Sequence, residues 1–127
     1  MTAWTDYQLD ALGGADEIHL KSRRADGSLR PAVIIWVVTV GDEVFVRSGG
    51  GRENGWFRRA LVQHRGRISG GGIEVDVVFD EPDDLPAAKI DAAYRLKYSR
   101  YGAQYVDPVV APDAAAATFR LRPDDAG

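Results

Sequence analysis

Hydrophobic and polar residues alternate along several short segments of the chain, which is typical of half-buried β-strands. The alternation runs over residues 17–24 and 118–122, and along the second arm of a predicted hairpin at residues 66–79. The glycine-rich stretches and the ADGS sequence at 25–28 are turn signals. The pattern therefore predicts an antiparallel sheet built from short strands and tight turns.

The segment PAVIIWVVTV, residues 31–40, is apolar at almost every position and rich in β-branched side chains. Pro31 before it and Gly41-Asp42 after it favour a strand over a helix. Its composition predicts a central strand that is buried on both faces. Gly41-Asp42 is also a hairpin signal, so we expect residues 44–48 to pair back antiparallel to this segment.

Helical spacing of apolar residues predicts two or three helices. The expected helices cover residues 5–13, residues 55–63 and residues 87–101. The last is predicted to be amphipathic, with Ile90, Tyr94, Tyr98 and Tyr101 on one apolar stripe. Thr5 and Asn54 are suitable N-caps for the first two. Together with about six strands, these helices predict a mainly β domain of the α+β class. Six antiparallel strands can close into a small barrel, which removes exposed sheet edges.

The composition is that of one ordinary globular domain, with 45% hydrophobic and 28% charged residues in a chain of 127. The absence of cysteine excludes disulfides, thiolate nucleophiles and cysteine-based metal centres. No apolar run approaches the ~18 residues of a membrane span. The N-terminal sequence lacks the basic and apolar regions of a signal peptide. We therefore expect a cytoplasmic protein with no membrane partner.

Positive charge is concentrated in one segment, although the whole chain has a net charge of −3. The overall charge argues against a general nucleic-acid-binding protein. Six arginines between residues 47 and 67 stand against one acid, Glu53, and this local excess indicates a small anionic ligand. The acidic run at residues 80–84 offers the alternative that these arginines form ion pairs. The six are Arg47, Arg52, Arg58, Arg59, Arg65 and Arg67.

Three consecutive glycines, Gly49 to Gly51, connect the strand at 44–48 to the helix that starts near residue 55. Without side chains, their backbone can approach a ligand closely, and successive N–H groups can form an anion-binding nest. The helix N-terminus adds free N–H groups, and Trp56 offers a ring for stacking. The alternative is a plain connecting loop, because the stretch lacks the lysine of a Walker phosphate loop and a βαβ context.

The order of these motifs resembles the FMN-binding split barrel, and within it the deazaflavin-dependent nitroreductase branch. The residues that carry the resemblance are RRADGSLRP at 23–31, IIWVVTVGDEVFVRS at 34–48, GWFRRAL at 55–61 and GRISGGGIEVDVVF at 66–79. The C-terminal AAYRLKYSRYGAQYVDPVV extends it to a closer match with the uncharacterised bacterial domain of unknown function 2255 family. The resemblance implies that residues 1–127 form one small, six-stranded antiparallel split β-barrel with two to three flanking helices.

In the nitroreductase branch, basic residues of the turn and of the helix meet the cofactor phosphate, and the cofactor ring lies against the barrel strands. The resemblance therefore implies a phosphate cradle at residues 47–59, a homodimer, and FMN or deazaflavin as cofactor. The loop is shorter here than in that branch, and two arginines follow the aromatic pair in place of the common polar residues. The residues carried over as cofactor-binding are Arg24, Arg30, Arg47, Ser48, Gly49, Gly50, Gly51, Trp56 and Arg59.

Other candidate residues have simpler interpretations. Trp36 is expected to pack in the core, with a cofactor wall as the alternative. The tyrosines at 94, 98, 101 and 105 are expected to serve packing and interfaces, although one phenol could donate a hydrogen bond to a substrate. His19 and His64 have no partners spaced for a metal site, so no metal is expected. No Ser-His-Asp or paired-carboxylate arrangement indicates hydrolase chemistry, and no catalytic residue is assigned.

Three functional hypotheses remain. The first is a flavin- or deazaflavin-dependent oxidoreductase of the nitroreductase type, in which the cofactor supplies the hydride chemistry. The second is a non-catalytic barrel that holds a flavin, haem or another anion, since a fold does not determine a function. The third is a homodimeric domain with no cofactor, whose arginines pair with the acidic run.

Overall fold

The computed structural model describes residues 3–124, which form a curled antiparallel sheet of seven strands flanked by five α-helices. A 3-10 turn, Ser99–Tyr101, separates α3 from α4. This architecture confirms the predicted α+β class and the antiparallel sheet. In chain order the elements are α1 (Asp6–Gly14), β1 (Ile18–Ser22), β2 (Val33–Ile35), β3 (Val38–Val40), β4 (Glu43–Arg47), α2 (Gly55–Gln63), β5 (Arg65–Gly70), β6 (Ile73–Asp80), α3 (Ala87–Tyr98), α4 (Ala103–Val110), α5 (Pro112–Ala115) and β7 (Thr118–Pro123).

The segment predicted as one strand at residues 31–40 is two strands, so the described sheet has seven strands rather than six. The strand order is β2-β1-β5-β6-β7-β4-β3, which places β2 at one edge and β3 at the other. Trp36 and Val37 connect the two edges, and the sheet therefore curls round on itself. The prediction of a central strand buried on both faces is wrong, because both halves are edge strands and Ile34 is 59% exposed.

The backbone at the break between β2 and β3 is satisfied by side chains from the end of α3. Val37 is fully buried, so its N–H and C=O groups need partners. The Tyr98 hydroxyl accepts a hydrogen bond from the Val37 N–H at 3.1 Å and donates to the Asp16 carbonyl at 2.7 Å. The Lys97 Nζ donates to the carbonyls of Val37 at 2.7 Å and Leu12 at 3.1 Å. The last turn of α3 thus replaces the missing strand partner.

Two hydrophobic clusters cover the two faces of the sheet. The larger one fills the inside of the curl, where Phe57 of α2 stacks on Phe119 of β7 with ring centroids 4.4 Å apart. The smaller one lies between the β3–β4 hairpin and α3, and contains the predicted helical stripe of Ile90, Tyr94 and Tyr98. The prediction that the stripe continues to Tyr101 is wrong, because α3 ends at Tyr98.

The three predicted helices are confirmed, and two further helices were not predicted. Thr5 and Gln8 form a reciprocal capping box at the start of α1, as the Thr5 cap predicts. Asn54 stands at the N-cap position of α2 but makes no capping hydrogen bond. The unpredicted α4 carries Pro108 in its interior, which is a strong signal against a helix. No helix among residues 3–124 is long and apolar enough to cross a membrane.

We predict that the buried hydroxyls of Tyr98 and Tyr94 have opposite effects on stability. Tyr98→Phe leaves the Val37 N–H without a partner and should lower the free energy of unfolding by about 1–3 kcal/mol. Tyr94 is equally buried, but its hydroxyl makes no hydrogen bond of normal geometry with residues 3–124. Tyr94→Phe should therefore be neutral or slightly stabilising, and it is the matched control. Urea unfolding of both variants tests this, and equal losses of stability would contradict the account.

We also predict that the free energy of unfolding depends on pH through the protonation of Lys97. Burial lowers the pKa of the Lys97 ammonium from 10.5 to about 8. Between these two values the unfolded chain holds more of this proton than the folded protein does, so stability rises with pH across the window. Lys97→Met should remove that rise. The free energy of unfolding of the wild type should therefore increase relative to that of the variant as the pH increases from about 8. Urea unfolding below, inside and at the top of the window measures the difference, and a constant difference would contradict the prediction.

Candidate functional site

Four of the six arginines between residues 47 and 67 form ion pairs. These pairs, all among residues 3–124, are Arg47–Asp91, Arg52–Glu81, Arg65–Asp124 and Arg67–Asp76. Arg58 and Arg59 form no ion pair with the described residues. Structural ion pairing therefore accounts for most of the cluster, and uncompensated positive charge remains at the start of α2.

Arg47, a predicted phosphate ligand, is a buried structural residue. Its side chain is fully buried, and its Nη1 donates to the carboxylate of Asp91 and to the carbonyl of Val109 at 2.9 Å. Its Nε donates to the hydroxyl of Thr118 at 3.0 Å, and its Nη2 to the carbonyl of Ala87 at 3.3 Å. Every nitrogen of the guanidinium thus has a partner, and Arg47 fastens β4 to β7, α3 and α4.

The glycine loop is closed by its own hydrogen bonds. The Ser48 hydroxyl donates to the Gly51 carbonyl at 2.8 Å, and the Gly51 N–H donates to the Ser48 carbonyl at 3.0 Å. Gly51 has a φ of +78°, which requires a glycine, and it is buried beside Asp113. Ser48 and Gly51 therefore shape the loop, whereas Gly49 and Gly50 are exposed and present their backbone to solvent.

The two arginines of the basic turn between β1 and β2 have different surroundings. The Nη1 of Arg24 donates to the Ser28 hydroxyl at 3.3 Å and to the Leu29 carbonyl at 3.1 Å, so this side chain supports its own turn. The backbone N–H of Arg30 donates to the Ser22 carbonyl at 2.8 Å, which places Arg30 beside the end of β1. The Nε of Arg30 is buried and has no hydrogen-bond partner among the described residues.

Arg30, Arg58 and Arg59 meet at one cavity of about 470 Å³, which we call the arginine cavity. Gly55 forms part of its wall, and a Cβ atom at that position would lie 3.3 Å from the Nη1 of Arg59. The glycine therefore lets the guanidinium lie against the first turn of α2. No carboxylate is found among the lining residues, which are Ala25, Arg30, Gly55, Arg58, Arg59, Val62 and Gln63.

A second cavity of about 280 Å³, the inner cavity, adjoins the first and shares Arg30 and Arg59 with it. Its remaining walls are mostly apolar. Trp56 forms one wall, but its ring is only 8% exposed and packs edge-on against Phe57 at 5.9 Å. The other lining residues are Leu20, Ser22, Pro31, Ala32 and Val33.

A third cavity of about 460 Å³, the outer cavity, shares Val33 and Trp56 with the inner cavity. It lies between β2 and α4 and is bordered by the exposed backbone of Gly49 and Gly50. Its other lining residues are Glu17, Ile34, Ile35, Trp36, Arg47, Asn54, Tyr105 and Val109. The three cavities form one groove, with charge at one end and aromatic side chains at the other.

In the structure, the arginines and the glycines of the predicted phosphate cradle border different cavities. The arginines of the turn and of α2 line the arginine cavity, whereas Gly49 and Gly50 border the outer cavity. Several polar lining residues were absent from the predicted set, among them Glu17, Arg58 and Tyr105. Arg58 is adjacent to Arg59 and has the same charge, so the sequence could not separate their roles. Tyr105 was named only as one of four tyrosines for packing or for a hydrogen bond to a substrate, and its place beside the cavity depends on α4, a helix that Pro108 argues against.

We predict that Asp91 stabilises the fold through Arg47. Asp91→Asn removes the charged partner of a buried guanidinium and should lower the free energy of unfolding by about 1.5–3 kcal/mol. Asp83→Asn makes the same change at an exposed loop residue and should have little effect. Urea unfolding of the two variants provides the comparison. Equal stability of both variants would show that the pair contributes nothing.

Comparison with known proteins adds a family and a fold. The family model for "Uncharacterized protein conserved in bacteria (DUF2255)" matches residues 8–121. This match confirms the predicted resemblance to the family. No curated protein sequence matches the chain.

Solved structures with a similar fold come from proteins of different activities. HutZ, the heme storage protein from Vibrio cholerae, is 15% identical over 91% of this chain and 87% of its own, with a TM-score of 0.61. An F420 reductase is 17% identical over 91% of both chains, with a TM-score of 0.54. A putative 5-nitroimidazole antibiotic resistance protein from Bacteroides thetaiotaomicron is 11% identical over 98% and 82%, with a TM-score of 0.56. At these identities the similarity shows a shared split-barrel fold.

Proposed function

The chain belongs to the DUF2255 family of uncharacterized bacterial proteins, and we propose that it binds a phosphate-bearing cofactor of the flavin type, FMN or a deazaflavin. We further propose that the bound cofactor serves an oxidoreductase reaction. The observation that carries the proposal is the convergence of Arg30, Arg58 and Arg59 on one cavity. None of the three forms an ion pair with the residues that the structure describes.

The arginine cavity fits a phosphate group. Guanidinium groups donate two parallel hydrogen bonds to phosphate oxygens, and three of them compensate the charge of a dianion. The Nε of Arg30 is a buried donor with no partner among residues 3–124, a costly arrangement that a phosphate oxygen would relieve. The N-terminus of α2 lies at Gly55 in the same wall, and its dipole favours a negative charge.

The inner cavity fits the ring system that is attached to the phosphate. Its apolar walls come from β1, from the start of β2 and from Trp56. Arg30 and Arg59, which it shares with the arginine cavity, contribute polar groups. A flavin-type cofactor supplies hydride transfer when it is bound. The residues of this chain then have three tasks, which are to hold the phosphate, to orient the ring and to exclude water from its apolar side.

We also propose that the protein works as a homodimer through the β2 edge. β2 has a partner strand on one side only, and Ile34 on it is 59% exposed. A second copy seated on this edge would cover the exposed isoleucine and the mouths of the inner and outer cavities.

Haem binding is the second candidate function, because HutZ shares this fold. Haem iron needs an axial ligand, and the described residues that line the three cavities include no histidine, cysteine or methionine. The phenol of Tyr105 at the outer cavity is the side chain that could serve. Haem propionates could use the same arginines, so the two candidates differ in their dependence on Tyr105.

We predict that Arg59→Ala and Arg30→Ala each weaken FMN binding about tenfold to a hundredfold, the cost of a lost hydrogen bond to a charged group. Quenching of FMN fluorescence measures the affinity. Arg95→Ala is the matched control, because Arg95 is an exposed arginine of α3 that forms no ion pair with the described residues and lines none of the three cavities.

Unchanged affinity in both cavity variants, or an equal loss in the Arg95 variant, would move the phosphate site elsewhere. If the folded wild type binds neither FMN nor the deazaflavin, the flavin proposal is wrong. Haem titration of the wild type and of Tyr105→Phe then tests the second candidate. Absorption in the Soret region should depend on Tyr105 if haem is the ligand.

A further inference from the structure

The outer cavity has a charge character that differs from the arginine cavity. Glu17 is the one carboxylate among its described lining residues, and Arg47 is the one cation. The charge of Arg47 is compensated by Asp91, and its side chain is fully buried. Glu17 is exposed and forms no ion pair with the described residues. Glu17 is therefore the one uncompensated charge among the described residues that line this cavity.

Strand pairing brings Glu17 and an aromatic residue to the same cavity. Ile18 of β1 pairs with Ile35 of β2 at the end of the ladder, and the residues just beyond that pair, Glu17 and Trp36, both line the outer cavity. One face of Trp36 lies on the ring of Tyr98, with centroids 3.9 Å apart and an interplanar angle of 1°. Tyr101 lies 5.7 Å from Trp36 and 6.2 Å from Tyr98, so it flanks this stack, and Trp36 also lines the outer cavity.

A second aromatic residue, Tyr105, reaches the same cavity from α4. Its side chain is 56% exposed although it is large and mostly apolar. Aromatic faces carry negative electrostatic potential and attract cations, and planar cations also stack on them. A carboxylate that lines the same cavity as two such rings is a combination that selects for a flat ligand with positive charge.

We propose that the outer cavity binds a planar aromatic cation of the pyridinium class, held by the Glu17 carboxylate and by the rings of Trp36 and Tyr105. The cavity shares Val33 and Trp56 with the inner cavity, so the ligand lies beside the proposed site of the cofactor ring. In that position it would be the second reactant of the oxidoreductase, in which the pyridinium ring accepts a hydride from the reduced cofactor and becomes a neutral dihydropyridine while the cofactor is oxidised by two electrons; this interpretation rests on the proposed function. Binding of the cation itself does not depend on the cofactor.

Two probes of nearly the same shape test the proposal, namely the cation 1-methylnicotinamide and the neutral molecule nicotinamide. Binding to the protein without cofactor is followed through the indole N–H signals in NMR spectra, which include that of Trp36. We expect the cation to bind at least about fivefold more tightly than the neutral probe. Glu17→Gln should reduce this preference without changing the affinity for nicotinamide, because the two rings continue to attract the cation. Glu74→Gln removes a carboxylate that lines none of the three cavities and should retain the preference.

Equal affinities of the two probes for the wild type would overturn the proposal, as would an undiminished preference in Glu17→Gln. Failure of the cation to bind saturably at millimolar concentration would overturn it as well. The same titration with Arg59→Ala separates this proposal from the proposed function. Loss of FMN binding in that variant should leave the preference for the cation intact, because Arg59 does not line the outer cavity.

Discussion

The fold depends on how the backbone of Val37 is satisfied where one chain segment leaves the first edge of the sheet and joins the other. At that point the strand ladder offers no partner to a buried peptide group, and an unpaired buried N–H is costly. The hydroxyl of Tyr98 and the amine of Lys97 supply the partners from the end of α3. The position of α3 is therefore coupled to the closure of the sheet, and Arg47 with Asp91 ties the same helix to β4.

The break between β2 and β3 also determines where a ligand can bind. Because β2 remains an open edge, its residues face cavities on both sides of Trp56 instead of a neighbouring strand. The turn before β2 brings Arg30 to the first turn of α2, where Arg58 and Arg59 lie. The proposed phosphate site and the proposed ring site thus lie side by side. The outer cavity is lined by Glu17 in place of the free arginines, which is the basis for proposing a second ligand of opposite charge.

The sequence predicted most strands and three helices because their patterns are local. Alternation marks β1, β6 and β7, and the Thr5 cap marks α1. It could not predict the break at Val37, because the side chains that satisfy that peptide group are sixty residues away on α3. The burial and ion pairing of Arg47 could not be predicted for the same reason, because its partners Asp91 and Thr118 are remote in sequence. Arg30, Trp56 and Arg59 were chosen from the family resemblance, and their proximity is a property of the folded chain.

The central claim is that Arg30, Arg58 and Arg59 form a site for a phosphate group. The most direct measurement compares the affinities of FMN and riboflavin by calorimetry, since the two ligands have the same ring system and differ in the phosphate. The account predicts that FMN binds more tightly by at least about tenfold, and that added salt reduces this advantage. Equal affinities would contradict it, because the ring would then bind without any contribution from the three arginines.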